Sequence, residues 1–209
     1  MNNVYIELPS SVLIEESVVI GDNVTIRANT IIRGNSIIKD NVTLGPNVEI
    51  INSIIDEYSC IFHSLIIDSK IGKNVKVGPF AHLRENVEIK DNVKIGNFVE
   101  IKKSIIDSLT KISHLSYIGD SFLGKKINIG AGVITANYDG KNKHQTIIKD
   151  NAFIGSNSTL IAPLIINEKA FIAAGSTINK DVEKNTLAIA RAYQLNKQNK
   201  ETWCKTKYT

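Results

Sequence analysis

His114 stands in the string Ser113-His114-Leu115-Ser116-Tyr117, with no second histidine or cysteine at metal-ligand spacing. The chemistry open to it is therefore that of a lone imidazole, proton transfer near neutral pH. Two cations, Arg84 and Lys102, are 18 residues apart, and Glu100 and Tyr117 are 17 apart. If the chain stacks each pair, Arg84 and Lys102 repel one another unless an anion lies between or over them, and a phosphate is the obvious candidate. Asn128 adds an amide nearby. A base, two cations, a phenol and a carboxylate are a set suited to holding an anion and taking a proton beside it.

The element that must position them is announced by a six-residue beat. From Leu8 to about Glu183 an aliphatic residue recurs at every sixth position, as in Ile14, Ile20, Ile26, Ile32, Ile38, Leu44 and Ile50. That period fits neither an α-helix nor a hairpin sheet; it is the spacing of hexapeptide solenoids, in which each hexad forms one flat side. The expected fold is all-β, a left-handed parallel β-helix, with the handedness taken from known hexad solenoids. Three hexads make a coil of about 18 residues, with neighbouring coils about 4.8 Å apart. Positions i and i+4, such as Val24, Val42, Val48, Val75, Val87 and Val93, face inward. Position i+3 is Asn at Asn23, Asn29, Asn35, Asn41, Asn47, Asn74, Asn86, Asn92, Asn151 and Asn157, and Asn readily takes the left-handed conformation of a corner.

The beat shortens to five residues at Ile50–Ile55, Ile61–Ile66, Ile66–Ile71, Ile101–Ile106 and Ile118–Leu123, so coils there hold fewer than 18 residues. It vanishes between Thr135 and Ile148, where a polar, Asp-Gly-containing segment reads as a loop (136–147) that protrudes from a corner and replaces most of one side. The β-helix is expected over 1–187. A tail follows over 188–209, with a short helix from Ala188 and a role in capping the unpaired backbone of the last coil.

Used as a ruler, the beat places polar residues in space. Counting from Val77, one side comprises Val77–His82, Ile95–Glu100, Ile112–Tyr117, Ile129–Ile134, Ile154–Thr159 and Ile172–Thr177. Its outward i+2 positions carry Asn97, His114, Ala131, Ser156 and Ala174 in a column, a histidine at the foot of a track of small residues along which an extended ligand can lie against the backbone. Arg84 and Lys102 stack around the corner, Tyr117 lies over Glu100, and Asn128 ends the preceding side.

Composition bounds the alternatives. The 209 residues, 43% hydrophobic and 6% aromatic, supply one substantial core built from Ile and Val. Lys and Arg are scattered despite a net charge of +4, which disfavours nucleic acid as a partner. Cys60 and Cys204 are far apart, and neither they nor His63, His82 and His144 make a metal or disulfide pattern. No start with a basic region followed by an apolar stretch, and no apolar run of membrane-spanning length, is present, so a soluble, cytoplasmic protein with no membrane association is expected. Periodicity alone also fits an inert β-helical scaffold.

The strings GPFAHLR (78–84), GNFVEIKK (96–103), SHLSYIGD (113–120), NIGAG (128–132), NYDGKNKH (137–144) and LAIARAYQ (187–194), in this order, closely resemble one family. It is the acetyltransferase half of the bacterial bifunctional N-acetylglucosamine-1-phosphate uridyltransferase/glucosamine-1-phosphate N-acetyltransferase. The resemblance implies that His114 is the general base and that Arg84, Lys102, Tyr117, Asn128 and Lys143 hold the phosphorylated amino sugar. It implies that Asn137 and Tyr138 lie near the sugar and acetyl group, and that Ala131, Ser156, Ala174 and Arg191 contact acetyl-CoA. It further implies a homotrimer with active sites between subunits, the loop and tail reaching a neighbour, and no metal in this half. The reaction would be acetyl transfer from acetyl-CoA to the amine of glucosamine 1-phosphate, in UDP-N-acetylglucosamine biosynthesis. Within this mechanism Glu100 is expected to orient His114 or Tyr117, and the Ala131 N–H to face the oxyanion. The chain departs from the family at Ala136, often Cys in its members, and nothing in it resembles the Gly-rich start of the uridyltransferase, so it is not expected to make the UDP-sugar. Another hexapeptide acyltransferase, acting on serine, an antibiotic or a nucleotide-linked sugar, would share the fold and a histidine but lack the set Arg84, Lys102 and NYDG; one acting on another amino sugar or on galactosamine 1-phosphate is a further alternative.

Overall fold

Each coil is made of three strands of two to four residues joined by tight corners, and the inward residue of almost every strand is the aliphatic one of the beat. Successive coils stack in parallel, so strands three apart in the chain become hydrogen-bonded neighbours. In this computed structural model, which describes residues 3–197, three parallel sheets of 11, 10 and 9 strands result. They are called here face A (Val4–Ile6 up to Leu187–Ala188), face B (Leu13–Ile14 up to Thr177–Ile178) and face C (Val19–Ile20 up to Leu164–Ile166). The architecture is an all-β parallel solenoid of about ten turns, the left-handed β-helix of hexapeptide-repeat chains. Among the described residues no helix is long and apolar enough to cross a membrane.

The interior is a continuous stack of Ile, Val and Leu: Ile26, Leu44, Ile61, Val77, Ile95, Ile112, Ile129, Ile154 and Ile172 run up face A, each at most 3% exposed. Burying each of these side chains stabilises the rod by about 1.5–3 kcal/mol. Because each coil touches only the coils above and below, stability is a sum over neighbours, and the register of one coil fixes that of the next.

Corners follow the asparagine expectation at Asn23, Asn29, Asn41, Asn47, Asn74, Asn86, Asn92, Asn151 and Asn157, all with φ between 53° and 61°. Asn35 is the exception: Gly34, at φ 63°, makes that corner. Bulkier residues also take it, among them Phe80, Phe98 and Leu115. The five-residue steps have a chemical cause that the beat alone did not show. Ser53, Ser64, Ser69, Ser104 and Ser121 each sit three residues into a short step, buried, with the hydroxyl donating to the carbonyl two residues back. The hydroxyl gives each carbonyl a donor within its own short step, and at Ile51 and Lys102 it shares the carbonyl with the N–H of Asp68 and Asp120.

The loop leaves face B after Ile134–Ala136 and re-enters on face C at Thr146–Ile148. It therefore stands on the corner between B and C. At the upper end the helix expected from Ala188 is not formed: Leu187–Ala188 is a strand that pairs with Phe171–Ile172 and tops face A. Residues 189–197 have no regular structure. The strand wins because Phe171–Ile172 offers an unpaired edge that the chain can cover. The rest of the tail, with Cys204, lies outside the described residues.

Candidate active site

Strand pairing sets the side chains of face B in two columns. Arg84 pairs with Lys102 and Lys102 with Gly119; beside them His82 pairs with Glu100 and Glu100 with Tyr117. The two stacked cations do not face each other bare. Glu100 accepts from Arg84 Nε at 2.8 Å and from its Nη2 at 2.6 Å, while Glu85 accepts from Arg84 Nη1 and from Lys102 Nζ at 3.1 Å. The expectation that only an external anion relieves the pair is thus corrected: the carboxylates of Glu85 and Glu100 do so. Glu100 consequently holds Arg84 and, among the described residues, hydrogen-bonds to neither His114 nor Tyr117, a second correction.

The loop completes this cluster. Tyr138 and Lys143 form an antiparallel bridge, and Asp139 is the hub of the turn between them. Its Oδ1 accepts from the backbone N–H of Asn142 (2.6 Å) and of Lys141 (2.8 Å), and its Oδ2 contacts His144 Nε2 at 2.7 Å. Those contacts, the Asn142 N–H foremost, hold the Asp139 carboxyl far below the usual carboxylate range. The turn carries Lys143 to Lys102. Contact with the Lys143 amine, followed by that with Glu85, raises the pKa of Lys102; the same contact and the charge of Lys102 lower that of Lys143. Glu85 is held below its ordinary value, first by its hydrogen bond from Lys102, and Arg84 above its own, first by Glu100. Three cations therefore crowd one end of face B.

Tyr117 reaches the same place because Gly119 has no side chain. A Cβ at Gly119 would lie 2.5 Å from Tyr117 Oη and 2.7 Å from Asn137 Nδ2, so the phenol lies across the glycine toward the loop. Asn137 is buried, donating to Asp120 Oδ2 at 2.5 Å. Tyr138 instead is exposed and donates its hydroxyl to Gly140 O at 2.7 Å.

His114 sits at the corner between A and B. Asn97 and His114 are register partners, as the count of hexads required, and Ile112–Ile129, Ile129–Ile154 and Ile154–Ile172 continue that register to Ala131, Ser156 and Ala174. The backbone closes tightly along this lane. A Cβ on Gly130 would come within 2.5 Å of Ser156 N, and one on Gly155 within 2.4 Å of Ala174 N. Arg191 crosses its upper end, donating to Ala174 O at 2.8 Å. The imidazole is exposed, with Nδ1 2.7 Å from Asn97 Oδ1.

Asn128 pairs with Lys111 and Phe153 and so belongs to face A with the histidine strand, instead of ending a separate side. The structure thus brings Arg84, Lys102, Tyr117, Asn137 and Lys143 together on face B, and His114, Ala131, Ser156, Ala174 and Arg191 along the A/B corner. Asn128 lies on face A one coil above Lys111, and Tyr138 on the loop in a bridge with Lys143. Sequence reasoning missed Asn97 as the partner of His114, Glu85 as the bridge between two cations, and Asp139 as the hub of the loop. The column count already placed Asn97 under His114, and the Asp-Gly turn was the signal for Asp139.

Comparison with known proteins bears on the repeat architecture. Residues 17–52 and 68–103 match the family Bacterial transferase hexapeptide (six repeats), and residues 145–180 match Hexapeptide repeat of succinyl-transferase. The Bifunctional protein GlmU of Clostridioides difficile (strain 630) is 53% identical over 152 residues, 73% of this chain and 33% of that protein. The Bifunctional protein GlmU of Geobacillus sp. (strain WCH70) is 52% identical over 153 residues, again 73% and 33%. The chain spans about a third of the length of the curated relatives it matches. In fold it is similar to the UDP-N-acetylglucosamine acyltransferase of Arabidopsis, with TM-score 0.75 and 18% identity, covering 86% of this chain and 70% of that one. With hexapeptide repeats matched in both halves and about half of the aligned residues identical to GlmU proteins, the chain is a hexapeptide-repeat homologue of the C-terminal part of GlmU.

Proposed function

We propose that the protein transfers the acetyl group of acetyl-CoA to the amine of glucosamine 1-phosphate, giving N-acetylglucosamine 1-phosphate for UDP-N-acetylglucosamine biosynthesis in the cytoplasm. The observation that carries this reading is the in-register pair Arg84 and Lys102 with Lys143 brought onto it by the loop. A phosphate replaces Glu85 and Glu100 as the partner of these cations, and Arg84 offers it a two-pronged contact. Tyr117 and Asn137 border the same surface and contact the sugar.

A sugar amine with a pKa near that of an α-amino group, roughly 7.7–8, is largely ammonium at neutral pH and cannot attack a thioester. The ammonium first releases one proton to solvent; His114 then takes a proton from the neutral amine as its nitrogen attacks the carbonyl carbon, the C–S bond breaks, and the imidazolium returns that proton to the departing thiolate of coenzyme A. General base catalysis of this kind contributes roughly 10²- to 10⁴-fold. Ala131, Ser156 and Ala174 form the lane for the extended pantetheine, closed at its upper end by Arg191. The Ala131 N–H, for which no partner is found among the described residues, faces the developing oxyanion.

Faces A and B diverge from their shared corner, so one small sugar cannot touch Asn128 on A and Arg84, Lys102 and Lys143 at the far edge of B in the same rod. A neighbouring rod that sets its face A against this face B resolves the separation, which supports a homotrimer with sites between subunits. The corner beneath His114 supports it too: Phe80 and Phe98 are stacked at 5.3 Å, and these two with Leu115 are 55–58% exposed. A comb of apolar side chains held outward in left-handed backbone is costly unless something covers it.

The test is thiol release from acetyl-CoA with glucosamine 1-phosphate, glucosamine, glucosamine 6-phosphate and galactosamine 1-phosphate in turn. Rapid release with the first, and rates at least tenfold lower with unphosphorylated glucosamine, are expected. Release with none of them would leave the rod as a scaffold.

A further inference from the structure

We infer that Asn97 is a positioning residue for His114: its side-chain carbonyl fixes the imidazole as the Nδ1–H tautomer and leaves Nε2 as the proton acceptor. The inference deepens the acetyl-transfer reading and rests on it.

Three observations carry it. Asn97 Oδ1 lies 2.7 Å from His114 Nδ1, a short contact in which one atom must donate and the other accept. A carboxamide oxygen has no proton, so the hydrogen is on Nδ1. Nε2 has no partner among the described residues, and the residue is exposed. Third, the contact is built into the register, since Asn97 and His114 are strand partners and Gly96 beneath them allows the coils to close: a Cβ there would stand 1.9 Å from Ser113 O.

The choice of an amide over a carboxylate has a consequence. Aspartate in this position would also set the tautomer, but its charge would favour imidazolium and keep the base protonated to higher pH. Asn97 orients the ring without that bias. The other ionisable groups around the histidine are Lys111 on its own strand, Lys94 on the adjoining strand of face A, and Glu100 and Tyr117 around the corner on face B, Glu100 being held by Arg84. The coil above it, Asn128 to Gly132, has no ionisable side chain. Asn97 is thus the one group in the described residues that hydrogen-bonds to the ring.

The experiment uses ¹⁵N-histidine-labelled full-length protein together with steady-state kinetics. Wild-type His114 should show a protonated Nδ1 and an unprotonated Nε2 in the neutral ring. Asn97→Ala should lose that preference and lower kcat on the order of 10- to 100-fold, with KM for both substrates nearly unchanged. Asn97→Asp should keep the tautomer and recover much of kcat at high pH, with the acid limb of kcat/KM displaced upward by about one pH unit or more. A wild-type ring protonated on Nε2 would overturn the inference outright, with or without activity. So would an Asn97→Ala enzyme of wild-type kcat, or an Asn97→Asp enzyme with an unmoved limb. If wild-type enzyme transfers no acetyl group, the functional reading fails, while the tautomer measurement still decides the role of Asn97.

Discussion

Removal of Arg84 separates phosphate binding from every other function of the rod. In Arg84→Ala a two-pronged donor is lost, and a hydrogen bond to a charged group is worth about 1.5–3 kcal/mol. The carboxylates it neutralised, Glu100 at 2.6 Å and Glu85, remain on the face. Each then repels a bound phosphate charge some 6 Å away by about 0.7 kcal/mol in a water-like dielectric. The sum, about 2.9–4.4 kcal/mol, corresponds to a KM for glucosamine 1-phosphate raised roughly 130- to 1,700-fold. KM for acetyl-CoA should stay within about twofold, because the lane of Ala131, Ser156 and Ala174 is on the other side of the A/B corner. Adding Glu100→Gln should return about threefold, the share due to its charge. The assay is initial-rate thiol release, with each substrate varied against saturation by the other at fixed ionic strength. Equal increases in both KM values, or a sugar KM raised less than about threefold, would refute the phosphate assignment.

The other predictions concern the base, the loop lysine and the core. His114→Ala should lower kcat about 100-fold or more with little change in KM, read by the same assay; a near-normal kcat would remove it as the base. Lys143 has a lowered pKa, so its charge is present on the acid side and is lost at a lower pH than that of a free lysine, about 10.4. Its grip on phosphate should accordingly weaken as pH rises toward that value, and Lys143→Arg, which stays charged, should move this alkaline loss of kcat/KM to higher pH. Ile112 is fully buried between Ile95 and Ile129, and Ile112→Ala should cost about 2–5 kcal/mol, measured by denaturant unfolding.

What the sequence shows and what it hides divide along physical lines. The solenoid is legible because one aliphatic residue per side is an absolute requirement of a narrow interior, and a period of six cannot be mistaken for 3.6 or 2. The same period places Arg84 over Lys102 and His114 over Asn97 without coordinates, since coil stacking is a matter of counting. The serines of the short steps were present at fixed positions, but their purpose appears only when their hydroxyls are seen on carbonyls two residues back. Side-chain direction was not legible. Glu100 is as near in register to Tyr117 and His82 as its side chain is to Arg84, and counting cannot tell which it will choose. Asn128 was misplaced for a related reason: strands begin one residue before the aliphatic position, so side boundaries counted from that position cut through them. The loop has no period, and its hub, Asp139, emerges from local backbone hydrogen bonds that no repeat predicts.

The most direct test of the central claim is the identity of the product. Purified protein, acetyl-CoA and glucosamine 1-phosphate should yield free coenzyme A and, in equal amount, a sugar phosphate heavier by one acetyl group, stable to hydroxylamine as an amide is. A product cleaved by hydroxylamine, as an ester on a sugar hydroxyl would be, or coenzyme A released without an acetylated sugar, would contradict the account.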